Sequence, residues 1–95
     1  MYITKLTDDV KKLIATGNCP AIQSYALWLE EAKNKVWKSF DDIQEQYANC
    51  VELASNEVIF NFDDSGLTIE AIVEYSNERV FIQSVVVRQT TKMAQ

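Results

Sequence analysis

Residues 57–87, EVIFNFDDSGLTIEAIVEYSNERVFIQSVVV, carry the longest apolar alternation in the chain. Val58, Phe60 and Phe62 alternate with Glu57, Ile59 and Asn61, the period-2 pattern of a strand with one apolar face. Asp63-Asp64-Ser65-Gly66 follows as a hairpin turn, with Gly66 able to take a positive φ. Beyond it Leu67, Ile69, Ala71, Val73 and Tyr75 share one face, and Thr68, Glu70, Ile72 and Glu74 the other. Ser76-Asn77-Glu78 turns the chain again. Residues 80–87 are then a nearly all-apolar run rich in β-branched side chains, broken by Gln83 and Ser84, as expected of a centrally placed strand. The stretch reads as an antiparallel meander.

On its N-terminal side the pattern changes period. Residues 1–6, MYITKL, alternate weakly and read as a short first strand. Thr7 is placed to cap a helix with Asp8 and Asp9 in its first turn, and Gly17 to end it. Pro20 opens a second helix, where its missing N–H costs nothing. Ile22, Tyr25, Ala26, Leu29, Ala32 and Val36 recur at helical spacing, predicting an amphipathic helix over 20–36. Ser39-Phe40-Asp41-Asp42 has the form of a capping box with Asp in place of Glu, starting a third, short helix. Residues 48–56 read as a connection with Cys50, Val51 and Leu53 packed inward, and the tail after Arg88 has no pattern. The expected fold is α+β, an antiparallel meander sheet with two to three helices on one face, in a single domain over 1–95.

Composition narrows the chemistry. With 95 residues, 47% hydrophobic, the chain can bury one core and has no length for a second. It carries no histidine, so neither a zinc site nor a thiol–imidazole pair is available to Cys19 and Cys50, which read as reduced structural residues. No metal or other cofactor is expected. No run is long and apolar enough to span a membrane, and no secretory leader pattern is visible, so a cytoplasmic setting is expected. Trp28 and Trp37, nine positions apart, do not share a helical face, which points to one in the core and one at the rim.

Charge is segregated. Residues 39–78 hold ten acidic side chains and no Lys or Arg, whereas the remainder holds all nine basic groups and four acidic ones. The net charge is −5. A face of one sign predicts a protein partner with a basic surface and argues against direct nucleic-acid binding. Ordinary solvated surface would give the same composition.

Several segments, in order and spacing, resemble the HigB group of the RelE/ParE toxin superfamily. They are Trp28, VWKSFDDI at 36–43, Tyr47-Ala48-Asn49 and NEVIFNF at 56–62, with weaker similarity in VEY at 73–75 and VFI at 80–82. The resemblance implies ribosome-dependent mRNA cleavage by basic, histidine and tyrosine side chains without a metal. It also implies where those groups should sit. The Lys–x–Arg pair of the family falls on Gly66 and Thr68, a later Arg on Gln83, a Thr-His pair on Val87 and Arg88, and a Tyr-Asp pair on Thr91 and Lys92. None of the expected catalytic groups is present at these positions. Two readings follow. One is a catalytically inactive scaffold, a small acidic binding or inhibitor protein of the anti-CRISPR or anti-restriction kind, binding through Asp63, Asp64, Glu70, Glu74, Glu78 and Gln83. The other is a divergent mRNA interferase of a toxin–antitoxin pair using Tyr75, Arg79, Arg88 or Lys92. Between them stands a decoy that captures a cognate antitoxin.

Overall fold

Period-2 alternation in 57–87 becomes three consecutive strands in the computed structural model, which describes residues 1–5 and 8–88, Ser55 by its backbone alone. In chain order the elements are β1 (Tyr2–Lys5), α1 (Asp9–Ala15), α2 (Cys19–Asn34), α3 (Phe40–Gln46), β2 (Cys50–Glu52), a 3-10 turn (Ala54–Asn56), β3 (Glu57–Phe62), β4 (Leu67–Glu74) and β5 (Arg79–Val87). They build an α+β fold around one five-stranded sheet, ordered β1-β5-β4-β3-β2.

The meander β3–β4–β5 is antiparallel as expected, with Phe60 opposite Ile69 and Val73 opposite Val80. The sheet as a whole is mixed, because β1 lies parallel to β5, from Tyr2 beside Arg79 to Lys5 beside Ile82. A four-residue strand with weak alternation holds no information about its own direction. The Tyr2 N–H seals the contact by donating to the Glu78 carbonyl at 2.6 Å. The 48–56 connection also differs from expectation, since 50–52 pair with β3 as an edge strand. Alternation there turns only Cys50 inward. Val51 and Leu53 remain about half exposed, at 47% and 46%.

β5 is an interior strand only in its first half. A register shift between Glu70 and Ala71 sets Glu70 against Ser84 but Ala71 against Ile82, leaving Gln83 as the extra residue of a β-bulge. The bulge explains why Ile82 and Val85, three apart, are both buried. Gln83-Ser84 therefore marks a kink within the strand. Past this point β1 no longer flanks β5. Asp9 of α1 covers the edge there, its carboxylate accepting the Val85 N–H at 3.0 Å.

Helix ends follow local chemistry with two corrections. The Asn18 side chain accepts the Ala21 N–H at 3.2 Å and so caps α2, with Pro20 in the first turn. α2 stops at Asn34, two residues short of the expected end, and Val36 is 50% exposed while Trp37 takes the inward place. The Met1 amino group donates to the carbonyls of Ala32, Lys33 and Lys35 at this helix end. Ser39 precedes α3 but makes no side-chain cap. Asp42 supplies the bond instead, accepting the Lys38 N–H at 2.9 Å. Gly17, at φ 68°, ends α1 as expected, whereas Leu6, the Thr7 cap and the tail beyond Arg88 lie outside the described residues.

The core lies between the helices and one sheet face. Leu13, Tyr25, Trp28, Ala32 and Ile43 pack with Val58, Phe60, Ile69, Val73 and Ile82. Both tryptophans belong to it, and neither is at the rim. Their rings lie 5.2 Å (Trp28) and 6.0 Å (Trp37) from Phe60, which the two approach from different elements. Helical spacing was the wrong criterion, because Trp37 sits beyond the helix end.

Candidate protein-binding surface

With all three helices contributing to one core, the residues that alternate with the core positions form a second, uncovered sheet face. Strand register sets its rows. Val51, Ile59, Glu70 and Ser84 lie across β2, β3, β4 and β5, and Glu57, Ile72, Phe81 and Thr4 across β3, β4, β5 and β1. Glu74, Arg79 and Tyr2 form the row at one end. Ile59, Ile72 and Phe81 are half-buried by their neighbours alone, while Glu70, Gln83 and Val86 are exposed and Tyr2 is 74% exposed. The face is thus an apolar floor set with carboxylates.

The six acidic and amide residues singled out in the sequence do not form one patch. Glu70 and Glu74 lie on this face of β4, and Gln83, bulged from β5, stands beside Glu70. Leu53, Ile59, Glu57, Glu70 and Gln83 line a dimple of about 50 Å³ there, room for the end of one side chain. Glu57 was not among the residues singled out, although it lies beside Ile72 on the same face. The strand pattern placed it there, but its neighbour across the sheet could not be read without the register.

The other three lie elsewhere. Asp63 and Asp64 sit in the turn at the far end of β4, about eight strand residues or roughly 25 Å from Glu74. Asp63 is engaged by Arg88 at 3.3 Å and by the Asn49 amide at 2.9 Å. This turn is pinned further by the Ser24 hydroxyl, which donates to the Ser65 hydroxyl at 3.0 Å, and by Gly66 at φ 75° against the Arg88 backbone. Glu78 adopts a left-handed φ of 55° in the opposite turn. Its backbone carbonyl, through Tyr2, is what the fold uses.

Ion pairing leaves the open face negative. The two salt bridges among the described residues are Lys12–Asp9 and Arg88–Asp63, so no described cation lies within 4 Å of Glu57 or Glu70. Arg79 stands in register with Glu74 as the face's cation at that end. Arg88 lies nine residues further along, roughly 25–30 Å away on an extended strand. Two arginines so placed cannot close on one phosphate.

Two tyrosine phenols are held in their neutral form. Tyr75, a sequence candidate for catalysis, has its phenol pushed well above the ordinary tyrosine range, first by burial and then by the charge of Glu52, to which it donates at 3.3 Å. Tyr47 is raised in the same way, by burial and by its bond to Glu31. Burial also raises the Cys50 thiol, as befits a core residue, and Cys19 and Cys50 are unbridged. The positions where the resemblance leads one to expect catalytic cations do structural work. Gly66 makes the turn, Thr68 donates to Asn61 Oδ1 at 3.2 Å, and Gln83 forms the bulge. Thr91 and Lys92 lie outside the described residues. No helix is long and apolar enough to cross a membrane, and no cluster of three or more potential metal ligands occurs, both among the described residues.

Comparison with known families gives a match. The model of the HigB toxin family, described as the RelE-like toxic component of a toxin-antitoxin system, matches residues 21–89, from α2 through β5. No curated protein matches the chain.

Proposed function

The chain belongs to the HigB toxin family of RelE-like toxins, and from that premise we propose that it acts by binding a protein through its open sheet face, without cleaving RNA. The observation that carries this reading is the placement of charge. The open face presents Glu57, Glu70 and Glu74 over an apolar floor, and its two flanking arginines stand at opposite ends of β5. Cleavage of RNA needs a base for the 2′-hydroxyl, a proton donor for the leaving oxygen and cations around one phosphate. The chain has no histidine, and Tyr47 and Tyr75, held neutral, do not serve as the base. A surface of carboxylates suits a partner whose own surface is basic, as in a protein that ordinarily grips nucleic acid. The protein then acts as a small acidic inhibitor by occupying that surface.

Family membership itself favours a second reading, a divergent mRNA interferase whose partner is a cognate antitoxin. The readings part on whether the scaffold cuts RNA, and the first says that it does not. Induced expression tests it: the expected result is no translation-dependent mRNA cleavage, and growth arrest accompanied by such cleavage would overturn it.

A further inference from the structure

The open face has a spacing that selects the shape of its partner, and this inference rests on the acidic-face reading above. Glu70 and Glu74 are four residues apart on β4, on the same side, which sets their Cα atoms roughly 13 Å apart along the strand. Between them Ile72 is flanked by Glu57 on β3 and Phe81 on β5. Along β4 the order is therefore acid, apolar, acid, and the apolar centre is broadened by Phe81 beside it and by Ile59 diagonally across on β3, opposite Glu70.

An α-helix repeats a face at i, i+3, i+4 and i+7, with i and i+7 about 10.5 Å apart. Lys or Arg side chains at i and i+7 are long enough to cover the remaining 2–3 Å or so and to lay their aliphatic stems on the apolar floor. Residues at i+3 and i+4 then meet Ile72 and Phe81. We propose that the open face of β3–β5 docks a basic amphipathic helix of a protein partner, lying along β4. Cations at i and i+7 engage Glu70 and Glu74, and apolar residues at i+3 and i+4 sit between them. Charge complementarity decides the sign of the occupant, because Glu57, Glu70 and Glu74 outnumber Arg79 on this face and Glu57 and Glu70 have no cation within 4 Å among the described residues; Glu74, which accepts the Asn77 amide at 3.3 Å and stands in register with Arg79, is the weaker of the two anchors. The dimple at the bulge, between Glu57, Glu70 and Gln83, gives the cation nearest Glu70 a recess for its head group.

The test uses the full chain and two labelled helical peptides of identical composition. One carries Lys at i and i+7 with Leu at i+3 and i+4. In the other the same residues are permuted off that spacing. Fluorescence anisotropy in about 0.15 M salt should give at least tenfold tighter binding for the matched peptide, lost in E70Q/E74Q, whose fold is checked by circular dichroism. Equal binding of the two peptides, abolished by E70Q/E74Q, would overturn the helix while leaving the acidic-face reading intact. Binding indifferent to E70Q/E74Q would overturn both. No binding of either peptide would overturn the helix proposal, and the absence or presence of mRNA cleavage would still decide the reading beneath it.

Discussion

Phe60 is the side chain on which the core closes, and Phe60→Ala should remove a large part of the protein's stability. It is fully buried on β3, with ring centroids 5.2 Å from Trp28, 6.0 Å from Trp37 and 5.5 Å from Tyr47. Three elements therefore meet on it: α2, the segment after α2, and the end of α3. Truncating a buried Phe costs about 3–5 kcal/mol, the sum of lost transfer energy and the cavity left behind. Rigid aromatic neighbours do not collapse into such a hole, so the upper half of that range is expected, about 4 kcal/mol. Marginal stability for a chain of this length is about 5–14 kcal/mol, so the variant should lose roughly a quarter of it or more. Phe62, two residues on and only half-buried, has one aromatic ring partner among the described residues, Tyr47 at 5.9 Å, and Phe62→Ala should cost less than half as much. Urea unfolding followed by tryptophan emission reads both variants, because Trp28 and Trp37 report on the same ring. A loss under about 1 kcal/mol for Phe60→Ala, or equal losses for the two variants, would refute this view of the core.

Other outcomes follow from the turns and the tyrosines. Gly66→Ala should destabilise by about 1–2 kcal/mol in the same assay, since a Cβ there takes a left-handed φ and comes within 3.1 Å of the Arg88 carbonyl oxygen. Glu78→Gly should have the opposite sign, raising stability by up to about 1 kcal/mol, because it relieves the φ of 55° while keeping the carbonyl that Tyr2 uses. Tyr25, Tyr47 and Tyr75 all have folded-state values above the unfolded 10.0, so the native state holds their protons longer. Stability from these groups is complete below pH 10 and declines as pH rises beyond it; alkaline titration by absorbance should show their phenolates appearing together with unfolding. Early ionisation of these three in a folded protein would contradict the burial and bonding described.

Much of the fold was legible in the sequence, for reasons that also mark where legibility ended. Val58, Phe60, Leu67, Ile69, Ala71 and Val73 announce their strands because burial on one face enforces a period of two, and all six are buried. Gln83-Ser84 broke the period, and a break alone does not distinguish a bulge from a strand end. The partner register does, since Glu70 faces Ser84 and Ala71 faces Ile82. Trp37 and β2 were misread for a shared reason: their places depend on distant residues, Phe60 for the ring and β3 for the strand. At the site, sequence gave the acidic character but not its division. Asp63 is engaged by Arg88 and Asn49, Glu78 serves a turn, and only Glu70, Glu74 and Gln83 share the open face, with Glu57 added by pairing.

Binding without cleavage is tested most directly in reconstituted translation. Purified protein is added to ribosomes engaged on a defined message, and the RNA ends are mapped by primer extension. No cut above the level of a protein-free control is the predicted result, because Arg79 and Arg88 stand at opposite ends of β5 and Tyr75, which keeps its proton, does not serve as the base. Codon-phased cleavage that appears only with translating ribosomes would contradict it.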